Sequence, residues 1–309
     1  MKPRIGMVGL GSIAQKAYLP ILTKEIDWTF VGAYSPNKQK REKICHQYRI
    51  QAFEDLSTLS QSCDAIFVHS STGTHFEIVS QLLQNGIDIY VDKPLAASIE
   101  EAEKLVQLSE SLGRKLMVGF NRRFSPMYVQ LKQLLKEKDT AWINVDKHRI
   151  ARQDSLTFEH ILLDDYLHLV DTIRWLADGH LRFDHGFLKK TTDSKLIFSK
   201  QQFLSDQNNI YHTSMHRSAG TNLEQIELVT DGGIYRVKNM NIFEVEKDNQ
   251  ITTTYSGPWQ TILEQKGFEN AVAHFIKCLQ QNTMPSVSAR EGLESQKLLQ
   301  KLISDSKHF

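Results

Sequence analysis

The sequence predicts two successive domains of different class, an α/β domain on a parallel sheet and then an α+β domain with a large, mostly antiparallel open sheet. Three observations carry this. Arg4–Val8 is a short apolar strand that runs into a glycine-rich turn and a helix pattern. From there to about residue 121, β-rich runs alternate with helical patterns, and such alternation implies a parallel sheet covered on both faces. From Leu181 to Tyr255 strand follows strand without intervening helices, which favours antiparallel pairing.

In the first domain, residues 1–121, the expected strands are Arg4–Val8, Thr29–Tyr34, Ala65–His69, Asp88–Val91 and Lys115–Gly119. The helical patterns between them are Lys38–Tyr48, Thr74–Gln84 and Ser98–Leu112. The last sets Ala102, Leu105, Val106 and Leu108 beside Glu100, Glu101, Glu103 and Lys104, giving one solvated face. Ser98 and Glu101 form a capping box at its start.

The second domain, residues 122–309, opens with a helix (Met127–Leu135), a strand (Ala141–Arg149) and a polar stretch (Ala151–Leu156). An amphipathic helix from about Glu159 to Leu176 precedes the run of strands. Hairpin turns are expected at Asp206-Gln207-Asn208-Asn209 and Asp231-Gly232-Gly233. Two helices, about Thr261–Gln280 and Ala289–Ser304, close the chain and are able to pack back on the first domain.

At 309 residues the chain is long enough for two domains, and its net charge of +1 gives no electrostatic footprint for nucleic acid or a membrane surface. No stretch approaches the roughly 20 apolar residues that span a bilayer, and Met1-Lys2-Pro3-Arg4 does not open a signal peptide. Cys45, Cys63 and Cys278 are widely spaced and odd in number. They fit a reducing compartment, without metal-ligand spacing, and a cytoplasmic location is expected.

Gly9-Leu10-Gly11-Ser12-Ile13-Ala14 has the order of the dinucleotide-binding fingerprint. Gly9 permits the tight turn, Gly11 lets backbone approach a pyrophosphate, and Ala14 allows close helix–strand packing. The first-turn amides, at Ser12 and Ile13, face the phosphate charge. Such a domain is Rossmann-like. At the end of the second strand, Ser35 stands where an acidic residue usually binds the adenosine ribose, and Lys38, Lys40 and Arg41 follow. A hydroxyl with nearby cations accommodates a 2′-phosphate, so NADP is favoured over NAD. Val68-His69-Ser70-Ser71-Thr72-Gly73-Thr74-His75 leaves a strand at its carboxyl end, where open α/β sheets bind ligands. Ser70, Ser71 and His75 are therefore candidate cofactor contacts; a structural hydrogen bond is the other reading of His75.

Two constellations can carry chemistry. Asp92-Lys93-Pro94 leaves the apolar strand Ile89-Tyr90-Val91, again at a carboxyl end. An ammonium held there polarises a substrate hydroxyl or shares its proton. In Leu163-Asp164-Asp165-Tyr166-Leu167-His168-Leu169-Val170-Asp171, helical spacing places Asp164, His168 and Asp171 on one face. A carboxylate beside an imidazole orients it for proton exchange near neutral pH, so His168 is the candidate base and Asp164 its orienting group. A metal held by His160, Asp164 and His168 has weaker support, with no cysteine partner and no H-E-x-x-H spacing. Lys147, His148, Arg149, His216 and Arg217 end strands and offer donors suited to a hydroxylated or anionic substrate, though alternation turns at most half of each group toward a site.

Taken together, Gly9–Ala14, Asp92-Lys93-Pro94, Asn121-Arg122-Arg123-Phe124 and Asp164…His168…Asp171…Trp175-Leu176 occur in the order seen in the Gfo/Idh/MocA oxidoreductases. Within that family the chain resembles the MviM-like subgroup, down to Leu263-Glu264-Gln265-Lys266-Gly267-Phe268. The resemblance implies a nicotinamide-dependent dehydrogenase or reductase acting on sugars, cyclitols or related polyols. It also implies a homo-oligomer formed through the second domain's sheet. Lys93 matches the lysine of the family's E-K-P motif, which contacts the nicotinamide ribose and substrate; Asp164 and His168 match its D-x-x-x-H pair. Asp92 departs from the usual glutamate. Tyr166 departs from a frequent glycine, a change expected to alter the pocket. A non-catalytic dinucleotide-binding sensor of redox state or sugar is the alternative class, disfavoured by the joint presence of Lys93, Asp164 and His168.

Overall fold

The computed structural model describes residues 2–137, 140–151 and 157–308. The chain forms two compact units, one of residues 1–120 with 268–294, the other of residues 121–267 with 295–309.

The first unit holds a six-stranded sheet. Its strands are β1 (Arg4–Val8), β2 (Thr29–Tyr34), β3 (Gln51–Ala52), β4 (Ala65–Val68), β5 (Asp88–Val91) and β6 (Leu116–Val118), in the order β3-β2-β1-β4-β5-β6. Every pairing is parallel. Four residues of β1 and all of β4 are buried, as a sheet covered on both faces requires. The helices start where their caps place them. Asn37 accepts from Lys40 N (2.9 Å) and Ser98 from Glu101 N (3.2 Å), opening Lys38–Tyr48 and Ile99–Ser111. The helix Phe268–Gln281 covers one face, with Phe275 edge-on to Phe67 and Tyr90. Strand order reverses between β1 and β4, which puts the ligand crevice of such a sheet at their carboxyl ends.

The second unit holds a nine-stranded mixed sheet. Its members are β7 (Thr140–His148), β8 (Leu181–Lys190), β9 (Leu196–Ser205), β10 (Ile210–His216), β11 (Leu223–Thr230), β12 (Gly233–Lys238), β13 (Ile242–Lys247), β14 (Gln250–Tyr255) and β15 (Lys307–His308). The order is β14-β13-β12-β11-β7-β10-β9-β8-β15. Neighbours are antiparallel except β7 with β10 and β15 with β8. The two expected hairpins join β9 to β10 and β11 to β12.

Two expectations are corrected. The helix expected over Thr261–Gln280 is two helices, Ile262–Gln265 and Phe268–Gln281. Gly267 breaks it with φ +79°, and a Cβ there would overlap the Asn121 carbonyl oxygen. The Glu159–Leu176 helix runs as Phe158–Ile161 and Leu167–Ala177 around a π turn, Leu162–Tyr166. Beyond Ala151, the polar stretch expected at 151–156 lies outside the described residues. Among the described residues no helix is long and apolar enough to cross a membrane. All three cysteines are buried, and burial pushes the Cys63 thiol up to about 12.

Candidate active site

In the first unit the chemistry gathers at the carboxyl edge of the sheet. Gly9 follows β1 with φ +90°, and its amide donates to Tyr34 O at 2.9 Å. A Cβ on Gly9 would overlap the His69 carbonyl and lie 2.6 Å from Ser70 N, so the turn after β1 sits directly on the chain leaving β4. Gly11 differs: a Cβ there would meet nothing nearer than His69 O at 3.9 Å. The space beside Gly11 is thus open, as close approach by a pyrophosphate requires. The helix begins at Ser12, and Gln15 N donates to Gly11 O at 3.2 Å. The amides of Ser12 and Ile13 precede that bond in the turn that receives anions. Ala14 is fully buried and opens a π turn, Ala14–Tyr18.

Ser35 is buried just past β2, and its carbonyl accepts from Arg41 Nη1 at 2.8 Å. Arg41 is itself buried, 5.9 Å over the Tyr34 ring. Lys38 is exposed, 3.8 Å from Glu42. The inward cation beside Ser35 is therefore Arg41, which sequence reasoning placed among three nearby cations without assigning it to the site. A helical offset of three from Lys38 was the available signal.

After β4, the Thr74 hydroxyl donates to Ser70 Oγ at 2.9 Å and lies 2.8 Å from Ser71 O. His75 is buried, with Nδ1 2.9 Å from Pro94 O and Nε2 3.3 Å from Ser70 O. Both contacts are to carbonyl oxygens, and the shorter joins His75 to the carbonyl that follows Lys93. His75 thus ties the Ser70 loop to the Lys93 loop. Lys93 is half-buried, its amide donates to Asp92 Oδ1 (2.9 Å), and the Lys93–Pro94 peptide is cis. Below this edge lies a group the sequence reading missed. His69 is buried and stacks on Tyr18 at 3.9 Å, and Tyr18 shares a hydroxyl contact with Tyr90 (3.1 Å). Burial and neighbouring His75 push His69 down to about 3, so it is a neutral packing group.

In the second unit the π turn decides which carboxylate points inward. An i→i+5 turn adds one residue to the helical repeat and rotates what precedes it. Asp164 is exposed, whereas Asp165 is buried among three cations: Lys147 Nζ at 2.6 Å, Arg149 Nη2 at 2.5 Å and Arg217 Nη1 at 2.5 Å. Burial would push the Asp165 carboxyl up, but Lys147 and Arg149 outweigh it and hold the group well below the usual carboxylate range. Lys147 on β7 and Arg149 just past its end, two residues apart, both reach Asp165.

His168 is buried, and its carbonyl accepts from Thr172 Oγ1. Of the three residues expected on one helix face, Asp164 is exposed, while His168 and Asp171 are buried. Asp171 is bound by Arg123 (2.7 and 3.0 Å) and the Ser295 hydroxyl (2.8 Å), a structural pair. Tyr166 is fully buried with its hydroxyl 2.7 Å from Thr213 on β10, so helix–sheet packing absorbs its bulk. Among the described residues no group of three or more His, Cys, Asp or Glu side chains is placed to hold a metal ion.

Two cavities open on this cluster. One, of about 410 Å³, is lined by Arg149, Ile161, Asp164, Asp165, Arg217 and Asn222 among others. The second, of about 280 Å³, shares Arg149 and Asn222 and adds Lys147, Glu224 and Lys266. The larger is of ordinary size for a small-molecule site.

Comparison with known proteins bears on both units. Residues 3–120 match the oxidoreductase family with an NAD-binding Rossmann fold, and residues 126–248 match the YceM-like C-terminal domain. The chain is 43% identical to the YceM protein of Salmonella typhimurium over 98% of each chain. A crystal structure of the dehydrogenase MviM from Clostridium difficile superposes with a TM-score of 0.94 at 46% identity, over 98% of this chain and 99% of that one. An inositol 2-dehydrogenase of Paracoccus denitrificans is 31% identical over 58% of this chain and 55% of its own. The Rossmann sheet, the glycine turn and this likeness over almost the whole chain converge: the protein belongs to the Gfo/Idh/MocA oxidoreductase family.

Proposed function

We propose that the protein is an NAD(P)-dependent dehydrogenase or reductase that acts on a carbinol or carbonyl carbon of a sugar, cyclitol or related polyol, with NADP preferred. The observation that carries this is the His75 bridge, which sets Lys93 at the same sheet edge as the glycine turn. The dinucleotide is held by Gly9, Gly11, Ser12 and Ile13, with Ser70, Ser71 and Lys93 at the nicotinamide end and His75 fixing that loop. Ser35, Arg41 and Lys38 take the adenosine end; a hydroxyl and a buried guanidinium suit a 2′-phosphate better than a diol. When bound, the nicotinamide supplies the hydride acceptor or donor.

Lys93 hydrogen-bonds the reacting oxygen and polarises it. In the oxidative direction His168 receives the hydroxyl proton as the carbon gives up hydride, and in reduction it returns that proton. Asp164 orients the imidazole. Assembly through the second unit's sheet is part of the same reading, supported by exposed Trp142 on β7 and Phe187 on β8.

The test is calorimetric titration of NADP and NAD into the wild type, Lys93→Met and His168→Asn, with initial rates over a panel of sugars and cyclitols. NADP should bind more tightly than NAD, and both variants should keep dinucleotide affinity while losing about 10²–10⁴ in rate. Unchanged rates in both variants overturn the catalytic roles; tighter NAD binding overturns the cofactor preference. Dinucleotide binding without turnover of any substrate points to the sensor class.

A further inference from the structure

Among the described residues, the charges around the second unit's cavities do not balance. Lys147, Arg149, Arg217 and Lys266 line one or the other, against Asp164, Asp165 and Glu224. Arg122 adds a further cation behind Glu224, paired through Nη2 at 2.9 Å. Within the inner cluster, Asp165 meets three cations, and Glu224 meets Arg122 with Lys147 3.8 Å away. Two carboxylates cannot neutralise Arg122, Lys147, Arg149 and Arg217. Such an excess is costly where it is buried, and Lys147 and Arg217 are only 4% and 3% exposed. Burial, with Arg122 beside it, pushes the Lys147 ammonium down to about 8. A purely structural network would balance its charges and close over them, yet this one opens on two cavities.

Arg149 is the member that reaches the opening. Its side chain is 38% exposed and lines both cavities. Its Nε and Nη2 donate to the two oxygens of Asp165 at 2.8 and 2.5 Å. That fork-to-fork pair fixes the guanidinium plane before any ligand arrives.

We propose that Arg149, backed by Lys147 and Arg217, is a subsite for an oxyanion carried by the substrate, which is therefore a sugar acid or sugar phosphate and not a neutral polyol. Asp164 lines the same larger cavity and repels an anion, so the ends of the substrate are assigned: oxyanion at Arg149, hydroxyl groups toward Asp164. The term "substrate" rests on the oxidoreductase reading; the oxyanion subsite does not.

Glucuronate, glucose 6-phosphate and myo-inositol are titrated calorimetrically into the NADP-loaded protein and its Arg149→Ala and Arg149→Lys variants, with initial rates in parallel. At least one anionic sugar should bind about tenfold or more tightly than inositol, and which one identifies the oxyanion as carboxylate or phosphate. Arg149→Ala should abolish that advantage, bringing the anionic sugars to within about twofold of inositol in the same variant, and Arg149→Lys should restore part of it. Raising salt to about 0.5 M should weaken only the anionic ligands. Equal binding of all three, or an advantage that survives in Arg149→Ala, overturns the subsite. Turnover of inositol without anion discrimination overturns the subsite and leaves the oxidoreductase reading. Arg149-dependent anion binding without turnover supports the subsite and overturns that reading.

Discussion

Replacing Asp171 by asparagine removes a charge and keeps the shape. The carboxylate is 1% exposed and takes both arms of Arg123, itself 5% exposed, together with the Ser295 hydroxyl. The variant removes the charge that two arms of a buried guanidinium face, a change that costs about 3–5 kcal/mol. At roughly 2–4 °C per kcal/mol for a unit of this size, the thermal midpoint should fall by about 6–20 °C. Calorimetric and circular-dichroism melts at pH 7 read this directly. Removing both partners, as Arg123→Met with Asp171→Leu, exchanges the ion pair for apolar packing and should recover most of the loss. Well below its midpoint Asp171→Asn should keep wild-type dinucleotide affinity. An unchanged midpoint, or a double variant as unstable as the single one, refutes the assignment of Asp171 to structure and returns it to the catalytic face.

The glycine turn makes a paired prediction. Gly9→Ala forces a left-handed residue onto the His69 carbonyl and should cost at least about 1–3 kcal/mol. Gly11→Ala meets open space and should fold normally while dinucleotide affinity falls, which denaturant melts and titration separate. The buried cluster predicts a pH response of defined sign. Lys147 stands at about 8 in the folded protein against 10.5 free, so the unfolded chain holds the extra proton between those values. Stability should therefore rise with pH across that window, and Lys147→Met should flatten the rise. Glu224 is held at about 2 against 4.5, because Arg122 and Lys147 outweigh its burial. Its contribution is complete above pH 4.5 and is lost as pH falls through 2; Glu224→Gln should remove that loss in acid melts.

Local signals were readable where neighbours in sequence decide the outcome. β1, β2 and β5 follow the predicted bounds because apolar runs end at turn residues, and Asn37 and Ser98 cap helices within three residues of themselves. The glycine turn and Lys93 edge were equally visible, since both depend on strand ends. The inward turn of Asp165 was not, because an apolar stripe tolerates the single extra residue of a π turn without changing its apparent period. Lys147 and Arg149 could be placed on one face by alternation, but their shared partner Asp165 comes from a distant helix, and the third cation on it, Arg217, from the chain just past β10. Arg41 was visible as a cation, while its burial against Tyr34 was not. The central position of β7 could not be read at all, since both of its neighbours come later in the chain.

That position has a kinetic consequence. His212 on β10 faces Asn144 on β7 across 68 residues of sequence, and β11 follows later still. During synthesis at about 5–20 residues per second, β7 therefore waits roughly 3–14 s for its first partner. Until then its edges are open, and an open strand edge pairs readily with another chain. Slow, non-local closure of this kind raises the contact order of the whole unit. The same strand that later carries Lys147 is thus the segment most in need of shielding by a chaperone while the chain is being made.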